Sequence, residues 1–107
     1  MLIVTTDTLG GGRDEHYHVA GLITATAVTG ANVVRDFREA ITNTFGGHMT
    51  RYEEVIDQTM TRALGLLEAK ARSAGYDAVV GLRISHPVIT DGAIEIIVAG
   101  TGLIRRD

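Results

Sequence analysis

One stretch, from Thr50 to Ser85, limits the fold more than any other part of the chain. Tyr52, Val55, Ile56, Met60, Ala63, Leu64, Leu67, Ala71 and Ala74 recur at steps of three and four residues. That spacing gathers them on one stripe of an α-helix. Arg51, Glu54, Asp57, Glu68, Lys70 and Arg72 fall mostly off the stripe. Thr50 followed by Glu53 reads as a capping box, in which hydroxyl and carboxylate each take a free backbone N–H. Gly75 stands where a left-handed residue closes a helix. Beyond it, Ala78–Ile84 changes to short β-branched residues, as a strand does. Helix, tight turn and strand follow each other within one segment.

The remainder is read around that unit. Leu2–Thr6 is a short β-branched run and predicts a first strand. Thr8–Glu15 carries Gly10-Gly11-Gly12 and reads as a loop; it lacks the Lys-Ser/Thr that completes a phosphate-binding loop. His16–Thr29 predicts a second strand. Ala31–Thr44 predicts a first helix, with Asn32 as N-cap and Val33, Val34, Phe37, Ile41 and Phe45 near one face. Gly46-Gly47 links the two helices. Thr90-Asp91-Gly92 is a hairpin signal before a last strand, Ala93–Arg105. No internal repeat or linker is present, so residues 1–107 form one domain. The element order is β-β-α-α-β-β. It predicts an α+β fold: a two-layer arrangement with an antiparallel sheet of about four strands and two helices on one face.

Two helices cannot cover both faces of such a sheet. The uncovered face would carry Leu22, Ile97 and Leu103 with Ala20 and Ala99, too apolar for a solvated surface. A contiguous apolar face on a small chain points to a partner surface, and self-association is the commonest case. The expectation is a homo-oligomer. Gly81, Gly100 and Gly102, inside predicted strands, allow bulges or close backbone approach.

Charge and composition exclude several classes. A formal net charge of −3 with a pI near 5.7 argues against nucleic acid as a partner, since phosphate backbones call for a basic face. No apolar run approaches the ~20 residues of a membrane span, and Met1–Thr6 lacks the basic and apolar regions of a signal peptide. The expected location is cytoplasmic, without membrane association. There is no cysteine, so disulfides, thiolate metal sites and thiol nucleophiles are out of reach, in keeping with that location.

Certain residues resemble a known family. Gly30-Ala31-Asn32-Val33-Val34-Arg35-Asp36-Phe37, then Gly46-Gly47, then Tyr52-Glu53, then Ala71 through Gly75-Tyr76-Asp77-Ala78-Val79-Val80-Gly81 resemble the motifs of the YbjQ-like family of small bacterial proteins. That family is functionally uncharacterised and carries a heavy-metal-binding label. The resemblance covers almost the whole chain. It implies a fold of the dodecin-subunit type assembled as a ring-shaped homopentamer. Where the family reads Gly-Glu-Ala-Val, this chain has Ala25-Thr26-Ala27-Val28. The exchange removes a carboxylate that could have served as ligand or base.

Candidate chemistry is sparse. His16 and His18, two apart on a strand, would point the same way and could share a divalent metal with Asp14 or Glu15; the plainer reading is an exposed strand start. His48 and His86 read as turn residues. Asp36, Tyr52 and Glu53 flank the Gly46-Gly47 turn, and with these glycines they form the candidate ligand site, Tyr52 donating and Asp36 accepting. The plainer reading is that Asp36 and Glu53 tie down the helix starts. Arg83, Arg105 and Arg106 could favour an anion, although a solvated tail is the simpler account. No catalytic residue and no cofactor is legible. A binding or structural module is the first reading, with a small-molecule or protein partner at subunit interfaces. A metal-handling protein with histidine and carboxylate ligands is the second, and a small enzyme with an interface site around Asp36 and Tyr52 the third.

Overall fold

The structure is a computed structural model and describes residues 1–42, 48–89 and 91–106, without the side chains of residues 37–52. Four strands and two helices run in the order β1 (Leu2–Ile3), β2 (Tyr17–Thr29), α1 (Ala31–Thr42), α2 (His48–Ser73), β3 (Ala78–Ser85) and β4 (Ile94–Arg105), with one 3₁₀ turn at Arg13–His16. The sheet order is β1-β3-β4-β2. β4 pairs antiparallel with both β2 and β3, whereas β1 runs parallel to β3. The sheet is therefore mixed, not antiparallel as expected. The chain reaches β3 from β1 by way of β2 and both helices, a long crossover of the kind that parallel pairing requires. None of the described helices is long and apolar enough to cross a membrane.

α2 ends as its sequence predicts. Gly75 has φ +80, and the N–H groups of Gly75 and Tyr76 donate to the carbonyls of Arg72 and Ala71. This is a Schellman closure, and it turns the chain directly into β3. The starts of the helices differ from expectation. α2 begins at His48, so Thr50 is its third residue and not its cap, and His48 belongs to the helix rather than to the turn. α1 begins at Ala31; Gly30 stands before it and accepts the Val34 N–H. Asn32 is already helical, and its side-chain oxygen accepts from Arg35.

Buried residues explain how α2 is held. Val55, Thr59, Ala63, Leu67 and Ala71 are buried, and the apolar members among them meet Ile23, Ala25, Ala27, Val79, Leu82, Ile96 and Val98 of the sheet in one core. Tyr76 packs against this core, its ring lying so near Gly102 that an added Cβ would come within 2.1 Å of it. The close approach expected of the strand glycines is real at that position. The buried Thr59 hydroxyl donates to Val55 O at 2.8 Å. Its one proton is thereby used, so Thr29 of β2 donates to it. α1 packs mainly on α2, with Val34 reaching the core.

The molecule is long: its principal extents are 57 × 25 × 19 Å and its radius of gyration is 17.2 Å. A compact chain of this length would have a radius near 13 Å. α2 alone, at 1.5 Å per residue, is about 39 Å long. Such a shape leaves more surface per residue than a rounded domain.

Candidate interaction surface

Cross-strand register separates the two faces of the sheet. Ile23, Ala25 and Ala27 oppose Gly100, Val98 and Ile96 under α2. The other face carries Leu22, Thr24, Thr26 and Val28 opposite Thr101, Ala99, Ile97 and Glu95, with Arg83 and Ser85 of β3 beside Ala99 and Ile97. Among the described residues no helix covers this second face. Leu22 is 76% exposed and Val28 51%; Ile97 and Ala99 are half-buried by their neighbours. Leu22, Ile97 and Ala99 therefore lie where the alternation of the strands placed them. Glu95 is buried in the same row and is engaged in an interaction of its own.

One end of this face is closed, and here the sequence reading needs correction. Leu103 is not open. It is buried with Leu9, Ala78 and Val80, and Val4 and Tyr17 pack against the group. The cover is the segment after β1. Val4 N–H donates to Val79 O, Leu82 N–H to Val4 O and Gly81 N–H to Thr6 O. Gly81 can donate to Thr6 because it is the extra residue of a bulge between Val80 and Arg83, with φ +62. The strap is fastened at two further points: Arg83 Nη1 donates to Thr5 O at 2.8 Å, and Leu9 N–H donates to Asp14 Oδ1 at 2.9 Å. The Arg83–Asp7 pair at 3.5 Å is exposed on both sides and adds little. Between strap and sheet lies a cleft of about 320 Å³, with Asp7, Asp14, Tyr17 and Thr101 on its walls over Val80 and Leu103.

Of the individual site candidates, His16, His18, Asp36 and Glu53 have described side chains. His16 ends the 3₁₀ turn and His18 lies in β2, so they do not share a strand as expected; both are exposed. The backbone oxygen of His16 accepts the Arg106 N–H. Of the two co-ligands considered, Asp14 accepts the Leu9 N–H on Oδ1 and Glu15 is exposed. Among the described residues no three His, Asp or Glu side chains come together as a metal site. Soft metals also prefer thiolates, and the chain has none. The described residues of one copy thus do not by themselves form a closed heavy-metal site. Asp36 and Glu53 are exposed on α1 and α2; Gly46, Gly47 and the Tyr52 side chain lie outside the described parts. His86 and Asp91 rim a second cleft of about 330 Å³ with Ile56, Val88, Ile94 and Ile96, which the spacing of the sequence did not reveal because its members come from α2, β4 and the loop between β3 and β4.

Comparison with known proteins gives a consistent result. A protein of Synechococcus, named only as a UPF0145 protein, is 37% identical over 99% of this chain and 100% of its own length. Another, from Geobacillus kaustophilus, is 35% identical over 96% of each chain, and one from Trichodesmium erythraeum is 39% identical over 92% of this chain and 93% of its own. A crystal structure of a protein of unknown function from the DUF74 family of Pediococcus pentosaceus shares the fold, with a TM-score of 0.64 at 18% identity over 98% of this chain and 97% of that one. The model of the YbjQ family, described as "Putative heavy-metal-binding", matches residues 1–105. These matches run the length of the chain in sequence and in fold, and the chain belongs to the YbjQ family.

Proposed function

We propose that this chain is the subunit of a homo-oligomeric binding or structural module, a ring of five, whose subunits meet through the open face of the sheet. The observation that carries the reading is that Leu22, Val28, Ile97 and Ala99 lie among the threonines of a sheet face that no described element of the same chain covers. A Leu side chain removed from water contributes roughly 1.5–3 kcal/mol, and the elongated shape leaves room for large contacts. Ring closure makes each contact heterologous, so that the same face meets a different patch on the next copy. Such a ring repeats any cleft at the joints, which is where a small ligand or protein partner would sit, with Asp36, Gly46, Gly47, Tyr52 and Glu53 as the site closest to the family motifs. Leu22→Asp combined with Ile97→Asp puts two charges into this face. In sedimentation velocity the double variant is expected to run as a folded monomer; a variant that keeps the wild-type mass removes the face from the account.

The family description favours metal binding in general, and a second reading places a divalent metal on His16 and His18 with Asp14 or Glu15, residues outside the family motifs. Titration of untagged protein with zinc or nickel, read by calorimetry, tests it. His16→Ala with His18→Ala should abolish stoichiometric binding, and unchanged binding ends this reading.

A further inference from the structure

β2 is the last strand of the sheet, with β4 as its only strand neighbour among the described residues. Residues 20–29, Ala-Gly-Leu-Ile-Thr-Ala-Thr-Ala-Val-Thr, contain no charge and no proline. A long, uncharged edge strand is a template for pairing with another chain, and proteins blunt such edges with Lys, Pro, bulges or cover. The strand brings none of these itself along that stretch except the bulge near Gly21. The cover comes from α2. Lys70 Nζ donates to Thr24 O at 3.0 Å, and the Arg62 guanidinium donates to Val28 O. Thr24 and Val28 are four residues apart, and alternate residues of an antiparallel strand turn their backbone groups to the same side.

We infer that Lys70 and Arg62 are guards on the free edge of β2: they occupy two of its outward carbonyls, those of Thr24 and Val28, and keep it from pairing with the β2 of a second copy. Both are exposed cations of one helix, about two turns apart along α2. An approaching strand would have to displace both from their acceptors. A second β2 would also bring its own Lys70 and Arg62, so like charges would face each other. The helix thus supplies the blocking charge that the strand lacks. This leaves the face of the sheet, and not its edge, as the surface open to association.

The test is the double variant Lys70→Ala/Arg62→Ala, followed by sedimentation velocity and by amide hydrogen exchange. Wild-type amides of Thr24, Thr26 and Val28 should exchange fast, since they share the unpaired side of the strand. In the double variant they should slow by about tenfold or more, and the sedimenting mass should rise to multiples of the wild-type value. Thr26→Pro on that background removes an outward N–H and should restore the wild-type mass. Arg35→Ala/Arg72→Ala removes equal charge without touching β2 and should change nothing. Lys70→Met/Arg62→Met keeps the aliphatic stems over the sheet and replaces the alanine pair if the latter does not fold. The proposal is overturned by a folded double variant with unchanged mass and exchange, or by wild-type amides at these three positions that are already protected. The wild-type mass in the same runs tests the open-face assembly separately.

Discussion

The two faces of the sheet use the same four strands but are finished in different ways. Under α2, side chains from helix and strands interlock, with Ala63, Leu67, Ala71, Val79 and Val98 fully removed from solvent. On the other face, closure stops at Leu103. There a strap of backbone hydrogen bonds and one small apolar group take the place of a helix. Past it, Leu22 and Val28 stand open. The difference teaches where the stability of the fold comes from and where its spare surface lies. Stability belongs to the α2 face, and the open part of the other face is free to serve an assembly.

Three substitutions sharpen this contrast. The largest effect should come from Leu67→Ala, which empties the centre of the α2 face. A loss of about 2–5 kcal/mol is expected for a buried leucine, measured by urea unfolding. Next is Gly102→Ala. Its new Cβ would enter the Tyr76 ring, and overpacking of this kind costs about 1–3 kcal/mol. A double-mutant cycle with Tyr76→Ala should recover most of that loss, which ties it to the ring and not to the strand. The smallest effect should be that of Leu22→Ser, on the open face. Unfolding of the dissociated subunit should change by no more than about 0.5 kcal/mol, while association weakens. A Leu22→Ser cost equal to that of Leu67→Ala would mean that the two faces are not different in kind.

Much of the α2 face was legible in the sequence because it rests on local signals. The three- and four-residue spacing of Val55, Ala63, Leu67 and Ala71 placed the helix, and Gly75 placed its end. In the last strand Ile94, Ile96 and Val98 alternate with Glu95, Ile97 and Ala99, which marks the two faces of β4. The parallel pairing of β1 was not legible, since Leu2–Ile3 is two residues long and nothing in so short a run records its partner. Nor was the strap. Residues 4–12 read as strand end and glycine loop, and their cover over Leu103 depends on Gly81 and Arg83, some 75 residues away in the chain. The two clefts are likewise assembled from distant segments. Asp36 and Glu53 were traced correctly to the helices, but spacing along a helix does not say what a side chain faces across a turn. His16 failed as a strand residue because the Arg13–His16 turn, built on Gly10–Gly12, extends to it.

The guards on β2 belong to the same lesson. Lys70 looks in the sequence like a solvated charge off the apolar stripe and Arg62 carries no signal of its own; only the placement of α2 over the last strand gives them acceptors.

The central claim, that the open face of the sheet joins copies of this chain, is tested most directly by native mass spectrometry of untagged protein purified without chelators. The account predicts a pentamer that Leu22→Asp/Ile97→Asp converts into a folded monomer. A wild-type protein that stays monomeric at micromolar concentration would contradict it.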